Sequence, residues 1–250
     1  MNTKKETVIF VHGAWHGKWC WEKYFKEAFK KRGYEVITFD LPGHDKPGKI
    51  KGINKYSLND YVESLVTEVR KLNELPIIVG HSMGGLILQK YLETYTCKKA
   101  ILMASVPPYG VINATFRFAK KSYFYPSLLN LNLYGLVNTK AKSKDAFFSP
   151  NISEAALEEY TSKLCSESFR AFLNMLVPKV TVTANSKIPI LVIGGSLDKI
   201  FTESDNRKTA KKFRADLIMV KDIAHDMMID VNHEISAYEI LNWLEKDKDL

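Results

Sequence analysis

The chain has 250 residues, 46% of them hydrophobic and 26% charged, with a formal net charge of +8 and a sequence pI near 9.2. A chain of this length buries roughly three-quarters of its unfolded surface in one core, so disordered, collagenous and small disulfide-stapled classes are excluded. The basic excess alone leaves nucleic acid, acidic lipid and plain solubility open.

In chain order, Met1 to Glu6 lead into an apolar run from Val8 to Val11 only, too short for the hydrophobic part of a secretory signal, so a cytoplasmic location is expected. That run is the first of six that read as strands buried on both faces. The others are Val36 to Phe39, Ile77 to Val79, Ile101 to Met103, Ile190 to Ile193 and Leu217 to Val220. Between them, helices are predicted over Trp21 to Lys31, over Ser57 to Leu72 behind the capping pattern Ser57-x-x-Asp60, and over Met83 to Thr94. A last helix carries Ile235, Tyr238, Leu241 and Leu244. Strand and helix in alternation predict an α/β fold, a mostly parallel six-stranded sheet flanked by helices.

Some 80 residues part the fourth strand from the fifth, far more than an ordinary connection. Residues 109–187 are therefore expected as an inserted, helical subdomain, with 1–108 and 188–250 as the core. Helical patterns run over Ser153 to Leu164 and Ser166 to Leu176, the first half is aromatic, and ten Lys or Arg stand against five Asp or Glu. Two charge-free stretches, Ala100 to Phe116 and Tyr123 to Thr139, are shorter than the ~20 apolar residues of a membrane span. Cys20, Cys97 and Cys165 form no C-x-x-C pair, which argues against a disulfide framework and a zinc site.

The strongest chemical signal is Gly80-His81-Ser82-Met83-Gly84, directly after the third strand and before a helix. A serine on such a sharp turn projects its hydroxyl above the sheet, and the flanking glycines leave room for the bent backbone. Its hydroxyl needs a base. Of six histidines, His225 follows the last strand at the carboxyl edge of the sheet; His12, His16, His44, His81 and His233 read as structural or surface residues. Asp198, just after the fifth strand, is the expected acid, with Asp205, Asp222 and Asp226 as weaker alternatives. The order Ser82, Asp198, His225 suits this fold. Backbone N–H groups for an oxyanion are expected from Met83 and from Ala14 in the loop after the first strand.

With these residues in hand, the sequence resembles the α/β-hydrolase superfamily, and within it the capped esterase and lysophospholipase-like serine hydrolases. The likeness spans Val11 to Gly17, Asp40-Leu41-Pro42-Gly43-His44, Val79 to Gly85, Met103 to Pro108, Glu167 to Arg170 and Ala224 to Met228. It implies the same triad, and it implies that the insert covers the site as a cap that chooses the substrate. The sequence departs from the pattern in having only seven residues before Val8, so the family's first two strands are missing, and in Asp45 where a second glycine is usual.

The expected activity is hydrolysis of a carboxylic ester, a small molecule carrying an acyl chain, through an acyl-enzyme and without metal or organic cofactor. Trp15, Phe116 and Tyr125 are candidates to line the substrate pocket. Other chemistry on the same triad (C–C, thioester or amide hydrolysis, lyase action, perhydrolysis) and a non-catalytic ligand-binding role stay open. Nucleic acid is not expected as a partner, since no binding motif accompanies the scattered Lys and Arg.

Overall fold

The computed structural model describes residues 6–181 and 188–246. The leader reading at 1–5 and the last residues of the expected insert, 182–187, lie outside them.

All six apolar runs form strands: β1 (Thr7–Val11), β2 (Glu35–Thr38), β3 (Ile77–His81), β4 (Lys99–Met103), β5 (Ile190–Gly195) and β6 (Asp216–Val220). They pair in parallel in the order β2-β1-β3-β4-β5-β6. The chain leaves β1 in one direction and β3 in the other, so the carboxyl ends of those two strands flank the switch point where α/β folds form crevices. Burial on both faces holds for β3, β4 and β5 and nearly so for β1. It fails for β2 and β6, which among the described residues are the edge strands and stay partly exposed.

Phe10 on β1 anchors one layer, with Trp21, Phe25 and Phe29 packed around it at ring distances of 4.8, 6.1 and 5.0 Å. The single helix expected there is two, α1 (Trp19–Glu22) and α2 (Phe25–Lys31), parted where Tyr24 leaves the helical region at φ −123°. α3 (Leu58–Arg70) opens on the expected capping box of Ser57 and Asp60, and α4 (Met83–Tyr91) follows β3.

Among the described residues, five α-helices lie on the path from β4 to β5: α5 (Ile112–Ala119), α6 (Phe124–Leu129), α7 (Lys140–Phe147), α8 (Glu154–Lys163) and α9 (Phe169–Leu176). α10 (Glu203–Phe213), which the apolar pattern does not announce, opens on a capping box of Thr202 and Asp205. α11 (His233–Glu245) buries Ala237, Ile240, Leu241 and Leu244, while Ile235 and Tyr238 of the expected stripe are exposed. Among the described residues no helix is long and apolar enough to cross a membrane.

Candidate active site

Ser82 stands between β3 and α4 at φ 53°, ψ −116°, in the left-handed half of backbone space that costs a side-chain-bearing residue about 1–3 kcal/mol. Its neighbours must be small for that turn to exist. A Cβ on Gly84 would strike the carbonyls of Val11 and His12, and one on Gly80 would strike the backbone of Gly84. The turn is pinned to the end of β4, because Ser82 N–H donates to Met103 at 3.0 Å and Val106 N–H donates to the Ser82 carbonyl at 3.0 Å.

Asp198 and His225 meet from the loops after β5 and β6. His225 Nδ1–H donates to Asp198 Oδ2 at 2.8 Å, and both side chains are buried. The other oxygen of Asp198 accepts the N–H groups of Ile200 at 2.7 Å and Phe201 at 3.0 Å, so the carboxylate is fixed from two sides. The imidazole lies between Phe201, at 5.5 Å, and Phe147, at 6.1 Å. Burial opposes its protonation, but the charge and hydrogen bond of Asp198, with Asp226 nearby, outweigh that loss and raise its pKa. Among the described residues no hydrogen bond joins Ser82 to His225, a contact that often tightens only when substrate is bound. The two loops are linked through His81, whose Nε2 donates to the His225 carbonyl at 3.0 Å.

The rival acids have other partners. Asp205 caps α10 and binds Tyr109 and Arg117, Asp222 is exposed, and Asp226 accepts His16 Nε2–H at 2.9 Å. Of the other histidines, His12, His16, His44 and His81 are buried and His233 is half-buried. His12 donates from Nδ1 to Gly13 at 2.8 Å and accepts Leu41 N–H at Nε2, 3.0 Å; burial and its neighbour His44 hold its pKa low. Two buried pairs went unseen in the sequence reading. One is His16–Asp226. The other is His44–Glu167, at 3.0 Å, where Glu167 also accepts the Tyr61 hydroxyl and the Ser168 N–H. Burial opposes the charge on His44, yet Glu167 overrides it and raises the pKa. His81, His225 and Asp226 bring ligand-type atoms within 4.8 Å; His225 Nδ1–H is given to Asp198 and His81 Nε2–H to a carbonyl, so the other ring nitrogen of each is the one left toward this cluster.

Above Ser82 lies a cavity with about 600 Å³ of free space including its mouth. Ala14, Trp15 and Met83 border it beside Ser82, and among the described residues no hydrogen bond occupies the N–H of Ala14 or Met83. Trp15, at φ 64°, is held by its indole N–H donating to the Leu133 carbonyl at 3.1 Å. Segments of the β4–β5 excursion supply most of the remaining wall, through Val111, Ala114, Phe118, Phe124, Phe172 and Met175, and among the described residues no charged side chain borders the space. Phe116 and Tyr125 do not belong to it. Phe116 lies on the face of α5 opposite Ala114 and Phe118, and Tyr125 follows the inward Phe124, so both point to solvent.

The model of the alpha/beta hydrolase family matches residues 8–237. Methylesterase 3 of Arabidopsis thaliana is 34% identical over 102 residues, covering 39% of this chain and 38% of that protein. Salicylic acid-binding protein 2 of Nicotiana tabacum is 34% identical over 113 residues, covering 43% and 42%. The chain thus matches about two fifths of the length of these curated relatives. The crystal structure of a monoacylglycerol lipase of Paleococcus ferrophilus shares the fold with a TM-score of 0.71 and 21% identity, over 95% of this chain and 93% of that one.

Proposed function

This chain belongs to the alpha/beta hydrolase family, and from that premise we propose that it is a serine hydrolase that cleaves carboxylic esters, with Ser82 as nucleophile, His225 as base and Asp198 as orienting acid. The observation that carries the reading is the buried 2.8 Å pair of His225 and Asp198, set beside a strained serine turn at the floor of an uncharged cavity. The relative named as a methylesterase supports the choice of ester.

In this reading the Ser82 hydroxyl adds to the ester carbonyl as His225 Nε2 takes its proton, and Asp198 stabilises the imidazolium through Nδ1–H. The N–H groups of Ala14 and Met83 hold the oxyanion, which is often the largest single catalytic contribution. His225 then protonates the leaving alcohol, and a water molecule deprotonated by His225 hydrolyses the acyl-enzyme. Residues 109–187 act as a cap over the site, and its apolar inner wall receives the acyl part.

A fluorophosphonate probe tests the nucleophile: the wild type takes the label and Ser82→Ala does not. Equal labelling of both proteins rejects the assignment. A panel of p-nitrophenyl esters from acetate to palmitate tests the reaction, and a folded protein that turns over none of them counts against ester hydrolysis.

A further inference from the structure

The helices that wall the cavity have a second face. α5 turns Ala114 and Phe118 inward and Ile112 and Phe116, four residues apart, outward, where they are 40% and 68% exposed. α6 does the same with Phe124 inward and Tyr125 and Leu129 outward, 59% and 85% exposed, and Leu131 follows at 52%. Of the 13 large apolar side chains exposed among the described residues, six, counting Tyr109, fall within residues 109–131. That is under a tenth of the chain, a concentration unlike the single scattered apolar residues of an ordinary surface.

Charge in this stretch and in the residues that follow it has one sign. Residues 110–144 contain Arg117, Lys120, Lys121, Lys140, Lys142 and Lys144 and no Asp or Glu. Four of these six cations meet acids from elsewhere, as Arg117 does Asp205, Lys121 does Asp145, Lys140 does Glu154 and Glu158, and Lys144 does Glu154. Lys120 is exposed, and among the described residues Lys142 donates to the neutral oxygens of Gly135 and Asn138 beneath the ring of Tyr123. Long lysine stems of this kind lie along apolar surface and keep their charge at its rim.

We propose that the outer face of α5 and α6 docks on an anionic lipid bilayer, with Phe116, Tyr125, Leu129 and Leu131 entering the headgroup region and Lys120 and Lys142 facing lipid phosphates. Apolar insertion plus a few cations is the combination that gives reversible attachment to such a surface. A second copy of the chain suits the face less well, because it brings the same cations against one another. Docking does not depend on the ester-hydrolase reading. The supply of lipid-soluble esters from the bilayer to the cavity behind these helices does rest on it.

The test is flotation of the intact protein with vesicles of phosphatidylcholine alone or with a third phosphatidylglycerol. The protein is expected to float with the anionic vesicles, weakly with the neutral ones, and less as salt rises. Leu129→Ser and Phe116→Ser are each expected to lower the bound fraction several-fold, and Lys120→Glu about fivefold or more. Near-UV circular dichroism checks that each variant keeps its fold. Absence of flotation with anionic vesicles, or binding undiminished in the Phe116→Ser, Leu129→Ser double variant, overturns the proposal. So does a lipid-free dimer in sedimentation velocity that the same double variant dissolves, which assigns the face to a second copy. Because attachment is read without turnover, a protein that floats but hydrolyses no ester overturns the functional reading and leaves this one standing.

Discussion

His225 is buried where desolvation alone would pull its pKa down, and the Asp198 carboxylate reverses the direction. A base must be neutral to accept the Ser82 proton, so kcat/KM is expected to rise through an acid limb centred above the ordinary histidine value of about 6.5. Asp198→Asn removes the charge that holds the imidazolium. The limb should then move to lower pH while kcat falls by about 10⁴-fold. A pH–rate profile on a soluble ester measures both, and a limb that stays in place breaks the proposed pairing. Ser82, Asp198 and His225 are visible in the sequence because each follows a strand at the same sheet edge, so a local pattern reports a shared location. The pairs His16–Asp226 and His44–Glu167 join residues 210 and 123 positions apart, and nothing local to either partner signals the other.

At the scale of elements, α5 divides its aromatic residues between two environments. Phe118→Ala enlarges the cavity wall, and the preferred acyl group is expected to become bulkier, with relative kcat/KM between short and long esters changing about tenfold. Phe116→Ala, on the solvent face, should leave that preference unchanged, since surface substitutions usually stay within about 0.5 kcal/mol in stability and touch no substrate. A chain-length series on the two variants separates them. Composition announces an aromatic stretch but not its helical phase, because the starting residue of α5 sets which side each ring occupies and Val111 carries no capping side chain to mark it. The same uncertainty of phase put Ile235 and Tyr238 on the buried stripe of α11. α10 has a readable signal in Thr202-x-x-Asp205, but its sequence is too polar to show an apolar period.

Across the whole molecule, His44–Glu167 ties the loop after β2 to the start of α9, with Tyr61 of α3 as a third partner. His44 has a raised pKa when folded, so its contribution to stability is complete below the unfolded value near 6.5 and is lost as pH climbs through the folded value. His44→Gln is therefore expected to lower Tm most at mildly acidic pH, with the gap to wild type narrowing above pH 6.5. Melting curves from pH 5.5 to 9 measure it, and a gap that widens with pH rejects the ion pair. The sheet itself is the most legible part of the molecule, because its Val- and Ile-rich runs alternate with helical segments at regular intervals, and the long excursion after β4 stands out by its length alone.

That excursion also bears on how the molecule is made. β4 is a central strand whose partner on one side, β5, lies more than eighty residues further on. At about 5–20 residues per second, a ribosome needs roughly 4 to 17 seconds to supply it. Throughout that interval the nascent chain carries an unpaired apolar strand edge, Lys99–Met103, of the kind that recruits other chains into aggregates. Ser82 is likewise synthesised long before His225. Nascent chains stalled before Ile190 should therefore depend on chaperones far more than chains released after β6.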